Sequence, residues 1–179
     1  MKFCSQCGSS QLQLQIPTGD NRPRIVCQVC KTIHYTNPKV VAGCLPIRDG
    51  KILLAKRAIE PRRGFWNLPA GYLENGETVM QGAIRETKEE TGAELQIVRL
   101  HALYNLTHVN QLYLFYLAEV LSDDFDGGEE SLEVGLFSPD EIPYSDMAFT
   151  SSVFAIKRYL AYSGTSYHGV HVGSYPDTD

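Results

Sequence analysis

An α/β fold with a small metal-stapled ribbon ahead of it follows from three features of this 179-residue chain. Strand-length apolar runs alternate with two stretches of helical period, near residues 78–91 and 146–162. Two Cys-x-x-Cys knuckles, Cys4/Cys7 and Cys27/Cys30, are confined to the first 30 residues. A plausible boundary stands at Pro38, which gives a ribbon over 1–37, a main domain over 38–162 and a tail over 163–179. The tail carries Gly, Ser, Tyr and His without periodicity and reads as flexible, or engaged in contacts between molecules.

Composition narrows the function classes. Apolar residues make up 43% of the chain, enough to bury a core. No run of membrane-spanning length exists, and MKFCSQCG lacks the apolar centre of a secretory signal, so a cytoplasmic location with no membrane partner is expected. The net charge of −5 argues against a general nucleic-acid footprint, but it is uneven: residues 1–38 carry +3 and the remainder −8.

In the ribbon, 19 residues separate the knuckles. That arrangement suits one Zn²⁺ held tetrahedrally by the thiolates of Cys4, Cys7, Cys27 and Cys30. A redox pair or unliganded thiols are the alternatives, and a reducing compartment disfavours disulfides. Four protein ligands leave no open position, so the zinc is read as structural. QLQLQI, 11–16, alternates as a strand, PTGDNRP turns, and RIVC returns.

In the main domain, KVVAGCLPIRDGKILLAKRA reads as two strands around the hairpin signal Asp49-Gly50, with Cys44 a buried hydrophobe. EPRRGFWNLPAG has too much Pro and Gly for regular structure and acts as a loop into Gly71. A helix then runs from about Thr78 to Thr91, stopping at Gly92, with Val79, Ala83 and Thr87 inward. ELQIVRLHALYNLTHVNQLYLFYLAEVLS supplies two or three strands, and SLEVGLFSPDEIP one more. The terminal helix carries Met147, Phe149, Val153, Phe154, Ile156, Tyr159 and Leu160, an aromatic stripe read as core packing.

The chemistry lies in GYLENGETVMQGAIRETKEETGA, 71–93. A helix turns about 100° per residue, so Glu86, Glu89 and Glu90 crowd one face and repel one another. A divalent cation compensates such a cluster, and hard carboxylate oxygens select Mg²⁺ or Mn²⁺, which keep positions for water and phosphate.

Gly71, Glu77, Arg85, Glu86, Glu89, Glu90 and Gly92 stand at the spacing of the Nudix box, and the chain resembles the Nudix hydrolases that carry an N-terminal zinc ribbon. Thr87 and Ala93 depart from the usual residues without touching a charged position. The resemblance implies an α/β/α sandwich with a mixed sheet, covering residues 39 to about 162. It implies metal-assisted hydrolysis of a nucleoside diphosphate derivative into two monophosphates. Glu86 and Glu90 would be the principal metal ligands, with Glu89 direct or through water and the Ala70 carbonyl adding a neutral oxygen. Arg85 would pair with Glu77 and orient the loop. A late-loop glutamate completes the metal shell or acts as base in many relatives; the resemblance points to Glu130, over Glu129 and Glu133. Relatives with such ribbons are often dimers, which the aromatic terminal helix would suit.

Substrate choice rests on thinner signals. The SQPWPFPxS stretch of NADH pyrophosphatases has no counterpart after Gly92, the coenzyme A hydrolase motif is matched poorly, and the ADP-ribose marker proline is His108 here. The ribbon, EPRRGFWNLPAG and HVNQLYLFY together look most like the FAD and ADP-ribose pyrophosphatases. Arg57, Arg62 and Arg63 could pair with phosphates, and Phe65, Trp66 and Tyr72 could stack a ring. The alternatives are an NADH pyrophosphatase, or a regulatory module using the basic ribbon on nucleic acid; the complete carboxylate set favours catalysis.

Overall fold

A computed structural model describes residues 1–176. Two compact units emerge, one over Met1–Asn37 and one from Pro38 onward. In the first, β1 (Leu12–Gln15) and β2 (Arg24–Cys27) pair antiparallel with Leu12 opposite Cys27. A two-residue strand that the sequence pattern does not announce, β3 (Ile33–His34), pairs with β2. Besides Pro17, the buried apolar side chains here are three: Cys4, Val26 and Cys27. Two of those three are knuckle cysteines, so the sulfurs stand where a core would be.

The second unit is built on a mixed sheet. Its strands are β4 (Lys39–Arg48), β5 (Lys51–Arg57), β6 (Trp66–Asn67), β7 (Ala70–Tyr72), β8 (Leu95–Leu106), β9 (Gln111–Val120), β10 (Ser131–Phe137) and β11 (His171–Tyr175). Two helices, α1 (Val79–Thr91) and α2 (Thr150–Tyr162), complete it. The strand order is β10-β5-β4-β9-β8-β11, with β6 on β5 and β7 on β4. Pairings β4–β9 and β8–β11 are parallel and the others antiparallel.

The central strand β4 is a near-continuous apolar run because both of its faces are covered. Alternation sends Val41 and Leu45 to a core shared with Ala155 and Ile156 of α2. Ala42 and Cys44 go to the other face, against Ala83 of α1. The sheet therefore lies between the two helices. The hairpin joining β4 to β5 turns at Asp49 (φ 49°) and Gly50 (φ 74°), the left-handed pair that matches strand twist.

Helix α1 begins with a capping box: the Thr78 hydroxyl accepts from the Gln81 N–H, and the Gln81 side chain accepts from the Thr78 N–H. It ends at Gly92, φ 69°, whose N–H bonds the Lys88 carbonyl.

The end of the chain corrects one expectation. The sequence pattern predicts a flexible tail from Ser163, or one engaged in contacts between molecules, yet His171–Tyr175 forms β11, with His171 buried and opposite Ala102. Its pattern HVGSY is too short and too polar to announce a strand; the parallel edge of β8 supplies the backbone partners. Residues 177–179 lie outside those described. No helix among the described residues is long and apolar enough to cross a membrane.

Candidate active site

Strand β7 packs on α1 at one point where no side chain would fit. A Cβ on Gly71 would stand 2.2 Å from the Glu86 carboxyl carbon, so glycine lets the carboxylate lie against the backbone of the strand. One helical turn on, Glu90 is 8% exposed and its Oε2 accepts the Ala70 N–H at 3.3 Å. Burial pushes its carboxyl up to about 8, and the neighbouring Glu86 charge adds to the effect. The Glu86 carboxyl is raised by the same desolvation, opposed by Arg85.

Arg85 ties the cluster together. Its Nε and Nη2 donate to the two oxygens of Glu77 at 3.0 and 2.7 Å, a bidentate pair. Nη1 donates to Glu86 at 2.7 Å and to Glu89 at 3.1 Å, and Nη2 also reaches the Tyr72 carbonyl. Glu77 is brought back to the helix because its Oε1 also accepts the Glu74 N–H, and Gly82 leaves room for it. The Arg85 hydrogen bonds hold the Glu77 carboxyl down at about 2.

The loop after β9 docks on the end of α1. The Asp126 N–H bonds the Thr91 carbonyl, and Gly128 approaches so closely that a Cβ there would be 2.2 Å from the Glu89 carbonyl oxygen. This anchorage brings Glu129 and Glu130 to the rim of a carboxylate-lined pocket of about 470 Å³ shared with Glu86, Glu89 and Glu90. Glu130, alone of the three late-loop candidates, also borders the adjoining cleft of about 340 Å³. Glu133 lies on β10 and pairs with Lys56 at 3.3 Å.

The cleft is lined by Glu86, Glu90, Glu130 and Ala70 together with Arg57, Tyr72, Gln111, Tyr113 and Phe149. Tyr72 is half exposed, with Lys39 over its ring and its hydroxyl bonded by Gln111 Nε2 at 2.8 Å. Arg57 lies over the Phe149 ring.

Several residues expected to bind substrate do not line this cleft. Arg62 (φ 65°) reverses the chain in the exposed turn after Pro61, so Arg62 and Arg63 face outward and Arg62 covers the Phe65 ring. Trp66 is buried in the core, edge-on to Phe137. Conversely Phe149, read as core because it falls on the aromatic stripe of the last helix, sits at the cap before α2 and turns to the cleft. Gln111 and Tyr113 lie in the HVNQLYLFY stretch but are not singled out there; their place on β9 beside β4 brings them to the cleft.

The four cysteine sulfurs of the first unit all lie within 4.8 Å of one another, with Cys4–Cys30 and Cys7–Cys27 at 3.6 Å. Disulfides have sulfurs about 2.05 Å apart, whereas metal–sulfur bonds of about 2.3 Å in a tetrahedron separate them by roughly 3.8 Å. The quartet therefore has the size and donor set of a four-thiolate metal centre. The glutamates do not form such a tight group among the described residues, since Arg85 and the Ala70 N–H hold them individually. Their hard oxygens, partly buried and facing one pocket, nonetheless suit a divalent cation.

Comparison with known proteins agrees with this geometry. The NUDIX domain model matches residues 37–155. The chain belongs to the Nudix hydrolase family. The Nudix N-terminal zinc-ribbon model matches residues 2–36. A Nudix hydrolase from Nitrosomonas europaea of solved structure is 49% identical, with a TM-score of 0.91 over 97% of this chain and 99% of that one. An ADP-ribose pyrophosphatase of Methanocaldococcus jannaschii is 31% identical over 61% of this chain and 67% of its own length. The NAD-capped RNA hydrolase NudC of Vibrio atlanticus is 32% identical over 72% of this chain, but the match spans only 44% of that longer protein.

Proposed function

We propose that this Nudix hydrolase cuts the diphosphate linkage of FAD or ADP-ribose into two monophosphates. The observation that carries the proposal is the convergence of Glu86, Glu90 and Glu130 on a cleft that is also lined by Arg57, Tyr72 and Phe149. Carboxylates alone would repel a diphosphate, so the reading requires a cation between them. Glu86, Glu90 and Glu130, helped by Glu89 and the Ala70 carbonyl, would hold Mg²⁺ or Mn²⁺. When bound, the metal neutralises the diphosphate and lowers the pKa of water beside it.

The chain's own residues do the rest. Arg57 lies where its guanidinium can meet a phosphate oxygen, and Tyr72 and Phe149 offer faces for the base or flavin ring. Glu130, at the join of pocket and cleft, takes the proton as the water oxygen attacks phosphorus. The phosphorus–oxygen bond of the anhydride breaks, and the second monophosphate leaves with that oxygen. Arg85 acts through the glutamates it holds: with Glu77 it fixes the loop and the Glu86 carboxylate. The ribbon's four thiolates would hold Zn²⁺ as a structural centre. The relative named ADP-ribose pyrophosphatase supports this substrate class, and the relatives named NAD-capped RNA hydrolases make an NAD-type end the second reading.

Measuring kcat/KM for FAD, ADP-ribose and NADH with Mg²⁺ and with Mn²⁺ tests the proposal. FAD or ADP-ribose is expected to lead; NADH ahead of both would favour the second reading, and three intact substrates would refute the class.

A further inference from the structure

A second cavity, of about 230 Å³, opens between β8, the C-terminal end of α2 and the turn that follows. None of its lining residues borders the carboxylate cleft. Arg99, His101, Arg158, Tyr159, Tyr162 and Tyr167 give it its character, and no acidic side chain lines it. Among the described residues neither arginine has a carboxylate partner: Arg99 donates to the Gly169 and Leu100 carbonyls, and Arg158 lies over the Phe154 ring. Two cations with no counter-charge make this an anion-attracting wall on a chain of net charge −5.

The rings give it a second property. Tyr162, Tyr167 and His171 lie with their centroids 4.8–4.9 Å apart, and His171 is 5.1 Å from His101. Tyr162 and Tyr167 remain 38% and 41% exposed, so ring surface is still free for contact.

His101 gives it a third. It is fully buried, and Nε2 lies 2.9 Å from the Ala155 carbonyl, which can only accept; Nε2 therefore carries the proton. Nδ1 is left as an acceptor with no partner among the described residues. Burial keeps the ring neutral, its pKa pushed down to about 4. A buried acceptor without a donor costs free energy that a ligand N–H could recover.

We propose that this cavity is a second binding site, for a nucleoside monophosphate whose base carries an amino group. The phosphate meets Arg99 and Arg158, the base lies on the Tyr162 and Tyr167 rings, and the amino group donates to His101 Nδ1. Water alone would satisfy the histidine, but it has no use for the two arginines and the exposed rings. The assignment is independent of which substrate, if any, the carboxylate cleft cuts.

Calorimetric titration of AMP into the full chain, zinc-loaded and free of magnesium, tests it. Binding is expected in the micromolar to millimolar range, weakened at least about tenfold by Arg158→Gln and by Tyr162→Ala and unchanged in Glu86→Gln. Arg158 is exposed, so Arg158→Gln should melt as the parent does; Tyr162→Ala also removes ring contacts with Tyr167 and His171, so its melting temperature is measured beside its affinity. The His101 Nδ1 resonance should move with AMP and not with ribose 5-phosphate. Absence of binding, equal competition by ribose 5-phosphate, or binding that follows Glu86→Gln rather than Arg158→Gln would overturn the assignment.

Discussion

The ribbon and the carboxylate cluster both gather side chains that repel one another when ionised, and they cope in opposite ways. In the ribbon, four cysteines share a space with almost no apolar core around them and no cationic side chain bonded to them. In the hydrolase unit, Arg85 binds Glu77, Glu86 and Glu89, the Ala70 N–H binds Glu90, and a full sheet-and-helix core stands behind them. On the proposed reading, the difference separates a metal that makes a fold from a metal that uses one. Removing the first should unfold its unit; removing the second should stop chemistry and leave the scaffold standing.

The largest expected effect is therefore Cys27→Ser. Structural zinc supplies about 10–16 kcal/mol of apparent binding energy in small ribbons, far beyond what so small a core can replace. Residues 1–37 should lose their dispersed NMR signals while the second unit melts unchanged; a ribbon that stays folded without metal breaks the contrast. Next is Glu90→Gln, which should cut kcat/KM by at least about 100-fold. Because burial already disfavours the ionised carboxylate, a neutral amide of the same size should leave the metal-free melting temperature equal to or above the parent's. A clearly lower one would make Glu90 a structural residue.

Glu130→Gln should slow turnover at least about tenfold with folding intact, and a near-normal kcat would remove its assigned role. Gly71→Ala forces a methyl group into the Glu86 carboxylate, so it should cost about 1–3 kcal/mol and weaken metal activation together. The smallest effect is a pH dependence. The folded Glu77 carboxyl is held near 2, below the unfolded value of about 4.3. Its pairing with Arg85 therefore stabilises fully above the unfolded pKa, and that share is lost as pH falls toward 2. The stability gap between the parent and Glu77→Gln, followed by urea titration, should hold steady above about pH 5 and close as pH falls below it.

Local signals were legible in the sequence wherever one segment carried the whole device. The Thr78–Gly92 helix has its cap, its period and its stop within 15 residues, and the Asp49-Gly50 hairpin needs only its own two backbones. The glutamate spacing is readable because a helix converts offset into direction. What stayed hidden depends on partners distant in the chain. β11 exists because β8 offers an edge, β7 because β4 does, and Phe149 joins the cleft because α2 begins at Thr150, about four residues later than the aromatic stripe suggests. Arg62, Arg63 and Phe65 fall outside the cleft lining for the converse reason: nearness in sequence to Gly71 says nothing about the chain reversal at Arg62.

The contrast rests finally on the carboxylate cleft being a diphosphate-cutting site. Phosphorus NMR of FAD and of ADP-ribose incubated with the protein and Mg²⁺ in ¹⁸O-water examines this most directly. Monophosphate products are expected, with the label on one of the two phosphates formed in each cleavage and no turnover when the divalent metal is withheld and zinc retained. Intact diphosphates with both Mg²⁺ and Mn²⁺, or turnover that persists in Glu90→Gln at the parent rate, would contradict it.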